Sequence, residues 1–395
     1  MTMTCGLLGK KLAHSYSPAI HAAFGEGEQA RYSYALFETE NLQEFFDARS
    51  FHGINVTIPY KQEAMQFCDS LSHTAQEIGS VNTISRRPDG TLHGDNTDAA
   101  GFKKMVEKLA VSVSGKKVIV IGRGGSALAI CYVLRELNCK IVVVSRENNN
   151  IDFLKKHGDS QILVNCTPVG MYPNTGVSPV SLDHFPHVEG VLDLIYNPAR
   201  TRLMQDAERL NIPVVGGLPM LVGQAAAAYE IFIGRKVTNE DEVLQNLERS
   251  MQNIILIGMP GSGKTTHGKM LSKRLSRSFV DIDEEIEKSA GRLISDIFAK
   301  DGEEFFRKIE TDMLAHFGKE SGLVISTGGG CVTREENYFH LHQNGKIFFI
   351  ERDIKELPRE GRPLSQGNLH EMYKIRLPMY KRFADARLEN ICEYL

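Results

Sequence analysis

Residues 254–265, IILIGMPGSGKT, decide the fold of the last third of the chain. Four apolar residues run into a glycine-rich turn that ends in Lys-Thr, the pattern of a strand handing over to a helix. Gly258, Gly261 and Gly263 let the backbone aim its N–H groups inward at phosphate oxygens, Lys264 reaches the terminal phosphates, and Thr265 offers a hydroxyl to Mg2+. Ser262 and Thr266 complete the loop as nucleotide contacts. GxxxxGKT in this setting is specific for a nucleoside triphosphate such as ATP; a glycine-rich turn with an incidental Lys-Thr is the remote alternative.

Some 250 residues precede this loop, and composition bounds what they hold. A chain of 395 residues, 42% hydrophobic and 24% charged, has room for two or three globular domains. Its net charge of -3, with no long run of one sign, favours neither nucleic acid nor an acidic membrane surface, so small ligands are expected. Seven cysteines, at 5, 68, 131, 139, 166, 331 and 392, form no CxxC pair and no metal-ligand spacing, and their odd number argues against a closed disulfide framework. They are expected reduced and mostly buried. The first residues lack a signal-peptide core, and no run approaches the roughly 18 to 20 apolar residues of a membrane helix. No membrane association and a cytoplasmic location are the expectation.

Periodicity then divides the chain. From 117 onward KVIVIG, KIVVVS, QILVNC, VLDLIY and IPVVGG alternate with helical segments, beginning with a helix at about 126–137. That is the rhythm of a doubly wound parallel sheet. Upstream, YSYALFE, GINVTIPY and VNTIS form a separate α/β unit. The apolar helix of 218–234 is expected to pack back onto it, and the polar segment TNEDEVLQNLERSMQN makes a short helical junction rather than a loose linker. The predicted domains are 1–98 with 217–245, a dinucleotide-binding domain at 99–216, and a phosphate-loop domain at 251–395.

After the phosphate loop come FVDIDEEIEKSAG, ISDIFAKDGEEFFRKIE, VISTGGGCV, EGRPLSQG and RLPMYKRFADA. With these, 253–395 resembles shikimate kinase, a relative of the nucleoside monophosphate kinases. The resemblance implies that Asp281 helps hold Mg2+ with Thr265, and that Asp283 grips the substrate hydroxyls as a catalytic partner of Lys264. It further implies that Arg307 and Arg376 clamp the substrate carboxylate, that Gly328, Gly329 and Gly330 present backbone amides, and that Arg362 closes over the nucleotide phosphates. The lid, LPREGRPLSQG, is shorter than the family pattern, which bears on Arg359 as a second phosphate contact. Taken singly, Asp281 or Asp283 also suits a helix cap, and Arg307 an ion pair with Glu303 or Glu310 on its own helix.

In the first part of the chain, Gly122, Gly124 and Gly125 of VIGRGGSALA stand between a strand and a helix, as a pyrophosphate-binding turn requires. Ser145 and Arg146 follow the next strand, where an arginine pairs with a 2'-phosphate; NADP is therefore favoured, while Glu147 beside it leaves NAD open. Around this turn lie HSYSP, NVTIPYK, SVNTI, GDNTD, NCTPVGM and GGLPMLVGQ. Residues 4–235 are thereby similar to shikimate dehydrogenase. The resemblance implies a catalytic pair, Lys61 and Asp98, and a substrate shell of Ser15, Ser17, Thr57, Asn82, Tyr196 and Gln224, with Gly217 and Met220 beside the cofactor. Two departures, SRENNN for the usual NRT and Pro219 for glycine, fall on cofactor contacts. Alone, Lys61 suits a surface lysine, Asp98 a cap, Tyr196 a core tyrosine and Gln224 a helix-surface amide.

Joined, the two resemblances imply one chain using NADPH, ATP and Mg2+ to reduce 3-dehydroshikimate to shikimate and then phosphorylate it. One catalytically silent half, or a first half acting on quinate with NAD, stays open at this stage.

Overall fold

The computed structural model describes residues 3–12, 15–25, 32–48, 50–357 and 369–388. Two compact units emerge: Met1–Val169, Ser178–Tyr196 and Asp206–Leu247 form one, and Gly170–Val177, Asn197–Gln205 and Glu248–Leu395 the other. The boundary falls inside the helix Glu240–Met251, where the polar, glycine-free junction was expected to be helical.

The first unit contains two sheets. One is mixed and six-stranded: β1 (Met3–Gly9), β2 (Tyr32–Glu38), β3 (Gly53–Val56), β4 (Ser70–Leu71), β5 (Thr83–Arg86) and β6 (Leu92–Asp95), in the order β2-β1-β3-β5-β6-β4. β1 lies parallel to β2 and β3, so it is flanked on both sides, and its run from Cys5 to Gly9 is buried throughout. β5 returns antiparallel to β3, setting Asn55 directly opposite Thr83.

The other sheet is wholly parallel: β7 (Lys117–Ile121), β8 (Lys140–Val144), β9 (Ile162–Asn165), β10 (Gly190–Asp193) and β11 (Val214–Val215), in the order β11-β10-β9-β7-β8. Its strands coincide with the five runs read from the sequence. The chain leaves β7 in opposite directions on its two sides, so the crevice at the carboxyl ends of β7 and β9 is the topological switch point where such sheets take ligands. Val118, Val120, Ile130, Val133 and Leu134 build the core beneath it; each such aliphatic side chain contributes about 1.5–3 kcal/mol by leaving water.

As its sequence predicts, the helix Leu218–Ile233 packs back on the first sheet: Ala225, Tyr229 and Phe232 join Cys5 and Ile20 in one apolar cluster. Its opposite side runs so close to the helix Asp98–Lys108 that a Cβ at Gly101 would meet the Met220 carbonyl at 2.4 Å.

The second unit is built on a parallel sheet of β12 (Asn253–Ile257), β13 (Phe279–Asp281), β14 (Val324–Ser326), β15 (Gly345–Ile350) and β16 (Ala386–Leu388), ordered β13-β14-β12-β15-β16. β12, entirely buried, is central and delivers the glycine-rich loop to the helix Lys264–Leu275. No described helix is long and apolar enough to cross a membrane, and the six described cysteines are free.

Candidate active sites

In the first unit, Lys61 follows β3 and Asp98 opens the helix Asp98–Lys108. Thr97, not Asp98, occupies the cap position, so the carboxylate is free for other work. Lys61 Nζ donates to Asp98 Oδ2 at 2.5 Å, with both side chains largely shielded from water. A surface-lysine reading of Lys61 is thereby excluded. The other carboxylate oxygen accepts from Asn82 Nδ2 at 2.8 Å. Asn82 is fixed in that sense, because its Oδ1 accepts from the Thr97 amide at 2.7 Å and stands 3.1 Å from the Thr97 hydroxyl. Turning the amide over would face donor against donor.

The remaining expected substrate contacts lie as follows. Ser17 is buried at the start of the helix Ser17–Phe24, its amide donating to Ser15 Oγ. Thr57 follows β3 and donates its amide to Leu8. Tyr196 meets Tyr16 edge to face at 5.9 Å, and burial raises its phenol above the usual value. Gln224 Nε2 donates back to Leu221 of its own helix.

The cofactor turn fits a dinucleotide. Gly122 adopts φ 112° where β7 ends, and the helix Gly125–Glu136 begins at Gly124 without a side-chain cap. A Cβ at Gly124 would meet nothing within 4 Å, and one at Gly125 would lie 3.5 Å from the Lys61 side chain. Uncapped amides and open space suit a pyrophosphate, and they lie beside the catalytic pair. Ser145 holds Glu147 and Asn148 in the turn after β8. Glu147 pairs with Arg123 at 3.6 Å, and no ion pair joins it to the exposed Arg146 among the described residues. Gly217 fits only as glycine, since a Cβ there would come within 2.0 Å of the Leu194 carbonyl. Met220, expected beside the cofactor, is packed into the apolar core with Phe102 and Met105.

In the second unit the phosphate loop and the substrate clamp line one cavity of about 910 Å³. Gly258, Gly261 and Gly263 have φ of 152°, 84° and 96°, backbone states that a side chain would oppose. Lys264 is buried with its ammonium on the Gly258 and Met259 carbonyls at 2.9 and 3.0 Å, and the buried Ser262 Oγ has no partner among the described residues. These groups fit a polyphosphate. Thr265 Oγ1 donates to Asp281 Oδ2 at 2.7 Å, while Asp281 Oδ1 accepts from the Asp283 amide. Asp281 is thus a cap as well. A hydroxyl and a carboxylate match the few protein ligands Mg2+ takes when phosphates supply the rest. Thr266 also lines the cavity.

Asp283 is half-buried in the wall, and its carboxyl is pushed up to about 6, first by desolvation and then by Glu310 and Asp281, against the pull of Lys264 and Arg307. Arg307 bonds Glu303 at 3.0 Å and Glu310 at 2.7 Å on its own helix, as the simpler reading anticipated, yet its guanidinium also faces the cavity. A Cβ at Gly330 would lie 2.2 Å from that guanidinium, and one at Gly328 only 2.3 Å from Glu310 Oε1, so a larger residue at either position would push the wall side chains aside. Arg376 Nη1 and the Tyr380 hydroxyl both donate to the Gly329 carbonyl. Arg362 and Arg359 lie outside the described residues. The sequence reading made Glu310 merely a partner for Arg307. In the structure it is a wall residue whose Oε1 has no partner among the described residues, and its place in FRKIE was the available signal.

Comparison with known proteins agrees with this geometry. The family model for the shikimate dehydrogenase substrate-binding domain matches residues 7–84, and that for shikimate kinase matches 260–391. The NADP(+) shikimate dehydrogenase of Clostridium perfringens is 38% identical over 265 residues, covering 62% of this chain and 97% of the relative. Among solved structures, a chorismate mutase/shikimate 5-dehydrogenase fusion protein from Clostridium acetobutylicum superposes with a TM-score of 0.59 at 36% identity, covering 63% of this chain and 98% of that one. Shikimate 5-dehydrogenase of Thermus thermophilus, solved with NADP(H) and shikimate, gives 0.57 at 31% identity, covering 62% and 99%. This chain therefore belongs to the shikimate dehydrogenase family and carries, beyond the length those relatives share with it, a shikimate kinase domain.

Proposed function

We propose that this chain performs two consecutive reactions, NADPH-dependent reduction of 3-dehydroshikimate to shikimate in the first unit and ATP-dependent phosphorylation of shikimate in the second. The observation that carries the reading is that each unit holds a nucleotide-binding turn beside the groups its chemistry needs: Lys61 and Asp98 in one, Lys264, Asp283 and Arg307 in the other.

In the first unit, NADPH supplies the hydride. Negative charge then collects on the substrate carbonyl oxygen, and the Lys61 ammonium stabilises it and delivers the proton. Asp98 orients that ammonium and Asn82 orients Asp98. Ser15, Ser17, Thr57, Tyr196 and Gln224 hold the hydroxyls and carboxylate, Gly122, Gly124 and Gly125 admit the pyrophosphate, and Arg146 selects the 2'-phosphate.

In the second unit, Arg307 and Arg376 hold the carboxylate, whose planar geometry suits bidentate guanidinium bonding. Asp283 accepts the hydrogen bond of the attacking hydroxyl and aims that oxygen at the terminal phosphorus; Lys264 moves from its carbonyls to the transferred group. Mg2+ held by Thr265 and Asp281 supplies neutralisation of phosphate charge. The oxygen protonated by Lys61 becomes the nucleophile beside Asp283.

The test is incubation with 3-dehydroshikimate, NADPH and ATP-Mg, following NADPH loss and ADP release together. One ADP per NADPH is expected, and Lys61→Met should abolish reduction while sparing phosphorylation of added shikimate. ADP release with no oxidation of NADPH, or the reverse, would refute the two-step reading.

A further inference from the structure

The catalytic pair of the first unit stands at the end of a hydrogen-bonded chain in which Tyr34, Asn55, Thr83 and Thr97 have as yet no role. The Tyr34 hydroxyl donates to Asn55 Oδ1 at 2.8 Å. Asn55 Nδ2 donates to Thr83 Oγ1 at 3.0 Å. Thr83 has one proton to give, and its oxygen stands 3.0 Å from both Asn82 Oδ1 and Thr97 Oγ1. Thr97 in turn reaches Asn82 Oδ1, so either route ends on that atom. Asn82 then donates to Asp98, which holds Lys61.

From Tyr34 to Asn82 the donors run toward Asp98, and Lys61 meets that carboxylate from the other side. Asn55 and Thr83 are opposite one another across β3 and β5 and are buried; both groups of the Asn55 amide are matched, and the Thr83 proton leads to Asn82 Oδ1 either directly or by way of Thr97. The Tyr34 ring is itself held: it stacks on the buried His21 at 3.9 Å, and His21 Nδ1 bonds the Tyr32 hydroxyl at 2.7 Å. Burial raises the Tyr34 phenol well above its usual value, so it keeps the proton it donates.

We propose that Tyr34 and Thr83 are positioning residues of the reduction: they transmit a fixed donor direction from the Tyr34 hydroxyl to the Asn82 amide, and so fix the Asp98 carboxylate against Lys61. The inference rests on the dehydrogenase reading of the first unit.

The test uses the full chain with Tyr34→Phe, Thr83→Val, the two combined, and Thr83→Ser, measuring kcat and KM for 3-dehydroshikimate, KM for NADPH, and Tm. Thr83→Val is expected to lower kcat about tenfold, as slight misplacement of a proton donor does, with NADPH affinity unchanged. Thr83→Ser, which keeps the hydroxyl, is expected to recover to within about twofold. The double variant should be no worse than about twofold below the poorer single, because both substitutions cut the same chain. Independent, multiplied losses, a serine variant as poor as the valine one, or losses confined to KM would overturn the proposal. Tyr34→Phe and Thr83→Ser keep it falsifiable should Thr83→Val melt early. A wild type inactive on 3-dehydroshikimate would instead refute the underlying reading, and this inference with it.

Discussion

Asp98→Asn changes no atom count and little volume, yet the geometry around it allows no comfortable orientation. Asp98 accepts on both oxygens, from Lys61 at 2.5 Å and from Asn82 at 2.8 Å. An asparagine offers one acceptor and one donor, so its amino group faces either the ammonium or the Asn82 amino group. Asn82 has no escape, since the Thr97 amide holds its Oδ1 at 2.7 Å. The substitution therefore strands a shielded lysine charge or opposes two donors, and removal of one partner from a buried pair costs about 3–5 kcal/mol. If the lower end of that cost falls on positioning Lys61, kcat/KM for reduction falls roughly a hundredfold, at about 1.4 kcal/mol per factor of ten. Reduction kinetics and denaturant unfolding of the same preparation separate the catalytic loss from the structural one, with phosphorylation of added shikimate as an internal control. Reduction within threefold of wild type, at unchanged stability, would refute the argument that this carboxylate sets the lysine.

Further outcomes follow from other groups. Lys264→Ala should lower phosphorylation by roughly 10²- to 10³-fold and leave reduction intact, because it removes charge at the transferred group; an unchanged ADP release rate contradicts that role. Arg146→Gln should raise KM for NADPH by about tenfold or more, the worth of a charged hydrogen bond, with little effect on NADH, and equal losses would mean the arginine does not meet the 2'-phosphate. Because Asp283 is pushed up to about 6, its carboxylate is lost as pH falls through about 6 rather than through the usual carboxylate range, so kcat/KM for phosphorylation should decline on the acid side with that midpoint; a decline centred near 4 would exclude it. Burial lowers His21 from 6.5 to about 3, so below pH 6.5 the unfolded chain takes up a proton that the folded chain refuses. Stability of the first unit is therefore lost toward acid by up to about 1.4 kcal/mol per pH unit, and His21→Phe should flatten that slope between pH 6 and 5 in urea titrations.

Which parts of this molecule the sequence exposes depends on how local the signal is. The five strands β7 to β11 and β12 are written as contiguous apolar runs, and β7 and β12 end in glycines whose positive φ the structure then requires, so the parallel sheet of the first unit and both nucleotide turns could be read directly. Lys61 and Asp98 were legible only through their motifs, since 37 positions separate two residues that meet at 2.5 Å. Asn55 and Thr83 fall inside quoted motifs, but what they and Tyr34 do had no signal, because a polar residue inside a strand has no periodicity to show its partners until four strands are paired in register. Glu310 was visible as a helix neighbour of Arg307, but its place in the cavity wall depends on a glycine 18 residues away, Gly328, that lets the backbone approach its carboxylate. Met220 is a motif residue that also serves the core, where it packs with Phe102 and Met105.

The unsatisfied Oε1 of Glu310 has a consequence for inhibitor chemistry. It sits behind Gly328, shielded from water, on a side of the cavity that also carries Asp283, facing Arg307, Arg376 and Lys264. A compound that keeps a carboxylate for the arginines and extends a hydroxyl or ammonium toward this acidic side would be favoured, whereas a dicarboxylate would meet repulsion at its second charge. The pocket is thereby polarised against the simplest anionic mimics, although its rim is cationic.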